Sequence, residues 1–414
     1  MGKVIIIGGG IIGLSSAYYL HKSGWEVTVL DKGELTDNCS FGNAGMIVPS
    51  HFVPLAAPGM VEKGLRWMFN SKSPFYVKPS LSPALISWGL KFLKSANQRH
   101  LDHSAQPLID ISLLSKHLYQ ELSVALGDFG LQENGILMLF KTGHIGEEEL
   151  AMSKEARMLG LDVADLSPEE CRALQPDLEL DVMGGVHYRC DAHLSPNVLL
   201  PMLTHYLEGQ GVRIKRNHEV THISKTGGKI NSLTAGGKEH TADRYVLAGG
   251  SWSPGIAKQA GLNIPLMPGK GYSFMVDDVQ KNMHIAALLC EAKVAVTPMG
   301  DQIRFGGTME IDQINNRINR NRVKGIVESI PRYFPGIQPA LPEDKDIWFG
   351  FRPCSPDGLP YIGSSAKLSN LVIATGHGMM GLSLGPATGK LVQEVLDEKP
   401  NSINITPFSV NRYL

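Results

Sequence analysis

A short apolar run that stops at three glycines constrains this chain more than anything else in it. Val4-Ile5-Ile6-Ile7 is a continuous β-branched stretch closed by Gly8-Gly9-Gly10, and apolar residues at helical spacing follow from Ile11 to about His21. After Gly24 the alternation Trp25-Glu26-Val27-Thr28-Val29-Leu30 reads as a second strand ending at Asp31. Together these make a β-α-β unit in which Gly8-x-Gly10-x-x-Gly13 spans the first strand-to-helix turn. Gly8 suits the tight turn, Gly10 clears a side chain from the path of a pyrophosphate, and Gly13 lets the helix pack on the strand. The helix start at Ile11 and Ile12 then offers free N–H groups and the positive end of a dipole to that pyrophosphate. Asp31, eighteen residues beyond Gly13, stands where it would accept hydrogen bonds from a ribose hydroxyl, with Lys32 beside it.

The rest of the chain is compatible with such a dinucleotide domain and needs a second one. At 414 residues the length suits two or three domains, and 45 glycines exceed the usual level of about 7%. Lys plus Arg number 39 against 40 for Asp plus Glu, so no global field recruits nucleic acid. The five cysteines are scattered and contain no C-x-x-C, which points away from a disulfide framework or a metal site and suits a reducing cytoplasm. With a strand beginning at Lys3, no secretory leader is expected, and no apolar run reaches the ~18 residues of a spanning helix. Strands are expected at 135–140, 184–187, 212–215, 245–248, 273–276, 294–297 and 302–305, and helices at 146–159, 196–210 and 386–397. Hairpin-like pairs such as 294–297 with 302–305 imply an antiparallel-rich domain beside the parallel one. Residues 71–83, rich in Ser and Pro, read as a linker or excursion. Near the C-terminus a strand runs into Thr375-Gly376-His377-Gly378 and a helical pattern, which would aim another helix N-terminus at a ligand.

Several of these segments resemble one known family. The N-terminal unit, Ser40-Phe41-Gly42-Asn43-Ala44-Gly45-Met46, Gly269-Lys270-Gly271-Tyr272-Ser273, Gly350-Phe351-Arg352-Pro353-Cys354-Ser355-Pro356-Asp357-Gly358-Leu359-Pro360 and Thr375-Gly376-His377-Gly378 occur in the order seen in the FAD-dependent amino-acid oxidoreductases of the D-amino-acid oxidase and glycine oxidase superfamily. Within it the sequence is most similar to the bacterial D-amino-acid dehydrogenase small subunit. The resemblance implies an α/β fold: a Rossmann-like FAD-binding domain of discontinuous segments (1–92, 150–260 and 346–414), plus an α+β substrate domain (93–149 and 261–345) with a mixed, largely antiparallel sheet. Besides the residues already named, it implies cofactor contacts at Ser40, Asn43, Ala44, Gly45, Met46, Val220, Ala248, Gly249, Trp252, Gly350, Arg352, Gly376, His377, Gly378, Met379, Met380 and Gly381. Arg352 would grip a substrate carboxylate, which suits a planar, permanently charged guanidinium, and Tyr272 would add its hydroxyl.

The reaction so implied is oxidative deamination of an amino acid, most simply a D-amino acid, by hydride transfer from the α-carbon to flavin N5. A cyclic secondary amine (D-proline or cis-4-hydroxy-D-proline), a glycine- or sarcosine-type oxidation, and a flavin-carrying subunit without activity are the alternatives. Relatives with a covalent flavin carry a Cys six residues before the Pro that Pro356 matches; Gly350 stands there, so FAD held non-covalently is expected. Arg304 stands near where such relatives place a Lys that helps oxygen react, which favours a dehydrogenase. Dehydrogenases of this type hand electrons to a membrane acceptor such as a quinone. Residues 60–100 hold seven basic residues against one acidic, interleaved with aromatics, so peripheral contact with the inner face of a membrane is one reading of them; a solvated face packed on the core is the other.

Overall fold

The computed structural model describes residues 2–59, 62, 73–79, 82–277 and 283–413. Its first sheet has six strands in the order Tyr361–Ser364, Leu371–Thr375, Arg244–Leu247, Lys3–Ile7, Glu26–Leu30 and Arg213–Lys215, all parallel except the first. Lys3–Ile7 lies near the middle, with Ile6 opposite both Val246 and Val29. Its unbroken apolar run follows from that place, because both faces of an inner parallel strand are covered. Val4 and Ile6 join a core with the helices Ile11–Lys22, Pro196–Gly209 and Gly385–Leu396, whereas Ile5 and Ile7 pack against the antiparallel meander Val220–Thr226, Lys229–Ala235 and Lys238–His240.

The second sheet has nine strands. Its main path runs Trp348–Cys354, Met267–Val276, Gln302–Ile311, Val294–Met299, Ala286–Leu289, Ile136–Phe140, Gly184–Tyr188 and Val163–Leu166, and Phe75–Val77 pairs in parallel with Gln302–Ile311. Only that pair and Ala286–Leu289 on Ile136–Phe140 are parallel, so the sheet is mixed and largely antiparallel. Strands from 75–77, 163–166, 184–188 and 348–354 thus join this sheet from outside the segments 93–149 and 261–345. The helix Gln98–Leu126 instead buries Leu108, Ile111, Leu118 and Tyr119 in the core beneath the first sheet.

Two local expectations change. Residues 75–77 are a strand rather than a linker, because their backbone completes the edge of Met309–Ile311. After Leu371–Thr375 no α-helix starts at Gly378: Gly376 and Gly378 have φ of +80° and +54°, a left-handed backbone that an α-helix excludes, so a single 3₁₀ turn spans Gly378–Met380 and the regular helix begins only at Gly385. Of the basic aromatic stretch, Lys63, Arg66, Trp67, Met68, Phe69 and Lys72 lie outside the described residues. The helix Pro83–Ser95 is described; Trp88 anchors it, donating its indole N–H to the Cys354 carbonyl at 2.9 Å, while Ile86, Leu90 and Leu93 face solvent.

Candidate active site

A cavity of about 1690 Å³ lies between the two sheets, well above the roughly 300–1,000 Å³ usual for a small-molecule pocket. One side is the crevice beyond the carboxyl ends of the parallel strands, marked by Gly8, Asp31, Ala248 and Thr375, where open α/β sheets bind ligands. Gly8 has φ +109°, and a Cβ there would fall 2.5 Å from the Ala248 carbonyl oxygen. Gly10 leads into the helix with no side-chain cap; the Ile11 N–H is held by the Ser40 hydroxyl at 3.2 Å, and Ile12 lines the cavity beside it. Asp31 accepts from the N–H groups of Gly9 (2.6 Å) and Gly33 (2.8 Å), which fixes its carboxylate at the rim. Beside it the Lys32 ammonium sits 3.6 Å from the centre of the Trp252 ring, a cation–π contact on the cavity wall.

Ser40, Asn43, Ala44 and Met46 line the floor of the same cavity, as do Val220, Ala248, Gly249, Trp252, Gly350, His377, Gly378, Met379, Met380 and Gly381. Three residues expected at the site sit behind it instead. Gly13 serves packing, since a Cβ there would come within 1.8 Å of the Gly8 carbonyl oxygen; Gly45 (φ +78°) would meet the Leu194 carbonyl, and Gly376 the Tyr361 ring. His377 is buried, with Nε2 3.0 Å from the Thr388 hydroxyl, and burial lowers its pKa to about 3, so its imidazole is neutral near pH 7.

The opposite wall belongs to the second sheet. Arg352 lies partly buried on Trp348–Cys354 and donates from Nη1 to the Thr308 carbonyl at 2.9 Å; no carboxylate among the described residues pairs with it. Burial pulls its pKa down from the ordinary arginine value, the mark of a cation short of compensating charge. Tyr272 borders the cavity, but its ring is buried in the core of the second sheet, and its hydroxyl accepts from the Asn319 N–H (3.1 Å) and lies 3.4 Å from Glu310 Oε2, so its polar end is engaged within the protein. Arg304 does not line the cavity at all. It donates to the carbonyls of Asn43 (2.8 Å) and Phe41 (3.3 Å) and so pins the Ser40–Met46 segment from behind; the inference drawn from it about oxygen therefore loses its footing.

Sequence reasoning missed Trp348, His51 and Thr308, all in the wall. Trp348 is clamped between two glycines: a Cβ on Gly42 or Gly350 would fall 2.1 Å or 2.3 Å from its indole. His51 has a pKa lowered to about 4, first by burial and then by the Lys293 charge. Thr308 follows Gly306-Gly307, and paired glycines inside a strand are the signal that marks a bulge.

A wide crevice, a glycine cradle that a Cβ would fill, and a helix N-terminus at its edge fit an FAD, and fold and site together define an FAD-binding oxidoreductase of the two-sheet type. The chain belongs to the FAD dependent oxidoreductase family, which matches residues 3–395. Among curated proteins it is 31% identical to a D-amino acid dehydrogenase of Vibrio atlanticus, over 100% of both chains, and 30% identical to one of Allorhizobium ampelinum, over 99% of this chain and 98% of the relative. Among solved structures, glycine oxidase from Geobacillus kaustophilus shares the fold with a TM-score of 0.80 at 22% identity, covering 100% of each chain. L-proline dehydrogenase from P. horikoshii does so with 0.76 at 17%, covering 99% of this chain and 97% of that one.

Proposed function

We propose that this protein is an FAD-dependent dehydrogenase that oxidatively deaminates an amino acid, a D-amino acid above the others. One observation carries the reading: Arg352 stands in the cavity wall with a backbone carbonyl as its hydrogen-bond partner and, among the described residues, no carboxylate paired with it. A guanidinium so placed is complementary to the carboxylate of an incoming ligand, which it can meet with two parallel hydrogen bonds. The names of the curated relatives at about 30% identity point to the same substrate class.

A bound FAD would supply the oxidant, as acceptor of a hydride from the substrate α-carbon, and the imino acid so formed would be hydrolysed by water to a 2-oxo acid and ammonia. The chain holds and orients. The helix start from Gly10 to Ile12 would face the pyrophosphate, Asp31 the ribose, the Val220 backbone the adenine, and residues 377–381 the far end of the dinucleotide, without a covalent link. Arg352 fixes the carboxylate and hence the direction of the α-hydrogen, a positioning effect. His377 is spent on Thr388 and does not act as the base, and the amine gives its proton to solvent.

We further assign electron delivery to a membrane quinone, reached through the solvent-facing Ile86, Leu90 and Leu93 with Lys91 and Lys94 beside them. Flotation with anionic vesicles tests it: co-migration that Leu90→Ser plus Leu93→Ser abolishes supports it, and a protein that stays at the bottom of the gradient removes it. For the main reading, the yellow protein is mixed without oxygen with D- and L-amino acids, D-proline and cis-4-hydroxy-D-proline included. Bleaching of the visible flavin band by a D-selective set supports it; flavin that stays oxidised with every member refutes it.

A further inference from the structure

Thr308 departs from its surroundings in two independent ways. Its φ is +63°, in the left-handed region, and among the described residues it is the one β-branched residue of the five non-glycine residues with positive φ; a β-branched side chain there is a strained outlier. Its hydroxyl is buried and has no hydrogen-bond partner, while the residue lines the cavity and is only 8% exposed. Both features come from one bulge. Lys270 pairs with Glu310 and Tyr272 with Gly307, so Thr308 and Met309 together stand opposite the single residue Gly271, an arrangement that re-aims side chains beside functional sites. The flanks hold the strain in place: Gly307 pairs with Val294, and the Met309 N–H donates to the Pro74 carbonyl at 2.7 Å.

The bulge is centred on Arg352. The Thr308 carbonyl accepts from Arg352 Nη1, and Gly271 is bare because the guanidinium lies over it: a Cβ would fall 2.0 Å from Nη1. Resting on the carboxylate reading of Arg352, we propose that Thr308 is a further substrate-binding residue, whose hydroxyl donates to the same substrate carboxylate that Arg352 grips. The carbonyl aims the guanidinium and the hydroxyl supplies a third donor, which accounts for an orphaned polar atom that is otherwise costly to bury.

The test uses the FAD-loaded protein and two probes that perturb the flavin spectrum on binding: propionate, a carboxylate without an amine, and propylamine, an amine without a carboxylate. Thr308→Val keeps the shape and removes the donor. A lost hydrogen bond to a charged group predicts propionate binding weaker by roughly tenfold to a hundredfold, propylamine binding unchanged, and recovery in Thr308→Ser. Should the valine variant fail to fold, Thr308→Gly, which suits the backbone angle, removes the hydroxyl by another route. If Thr308→Val binds propionate like the wild type while Arg352→Lys does not, the role of Thr308 is overturned and the reading of Arg352 stands. If Arg352→Lys also leaves propionate binding intact, or propionate never binds, both are overturned.

Discussion

Arg322 and Arg352 lie near opposite sides of the same bulged strand and solve one electrostatic problem differently. Arg322 is 2% exposed, with Nε 3.4 Å from Glu310 Oε1, Nη1 on the carbonyl and hydroxyl of Ser73, and its guanidinium carbon 4.9 Å from the centre of the Tyr76 ring. Arg352 has a carbonyl from Thr308 and open cavity. A buried cation needs compensating charge. Where the described residues provide it, the arginine builds the fold; where they do not, as at Arg352, the guanidinium is available for the ligand role proposed above.

The largest effect should come from breaking the internally compensated pair. Arg322→Met takes the guanidinium away from the half-buried Glu310, which should cost about 3–5 kcal/mol of stability in urea melts, with most of it recovered when Glu310→Gln is added. Arg352→Ala should do the reverse: substrate binding weakens about a hundredfold, equivalent to about 2.7 kcal/mol, while the yellow colour and the melting curve hold. Loss of colour instead would place Arg352 with Arg322 as a structural group.

An intermediate effect concerns the wall residue that already has a partner. His377 titrates at about 3 and His193 at about 4 in the folded protein, against about 6.5 unfolded. Below pH 6.5 the unfolded chain therefore binds more protons, so their contribution is complete above pH 6.5 and is lost as pH falls toward those values. Asp191, raised to about 7 by burial, works in the opposite sense, since between about 3.9 and 7 the folded state holds the extra proton. Melts between pH 4 and 7 should show His377→Asn flattening the acid limb. The smallest effect is Ser40→Ala, which removes the hydroxyl from the Ile11 N–H and should cost about 1 kcal/mol, read as a slightly lower melting temperature.

How much of this was legible follows from how local each feature is. The dinucleotide turn is contiguous, so its glycines, its helix and Asp31 could be read directly, and Lys3–Ile7, Ile11–Lys22 and Glu26–Leu30 stand within a residue or two of expectation. The second sheet is not local. Val163–Leu166, Gly184–Tyr188 and Phe75–Val77 join it through pairings with distant strands that no window of sequence contains. The 29-residue helix Gln98–Leu126 was not anticipated; it carries Pro107 within it because tertiary packing holds the helix through the missing hydrogen bond. Arg352 was reached through resemblance and Thr308 not at all, since a left-handed threonine is a product of strand pairing and leaves no pattern beyond the two glycines before it.

The helix that opens the dinucleotide site has its seat at the far end of the chain. Ile11–Lys22 packs against Gly385–Leu396, where Cβ atoms on Gly385 and Gly389 would strike Ile11 and the Ser15 backbone at 2.7 Å and 2.5 Å. The dinucleotide turn therefore draws a large part of its support from a helix remote from it in sequence. Contacts between such remote segments close slowly, so the ability to take up FAD should arrive late in folding, once Gly385–Leu396 has docked on Ile11–Lys22.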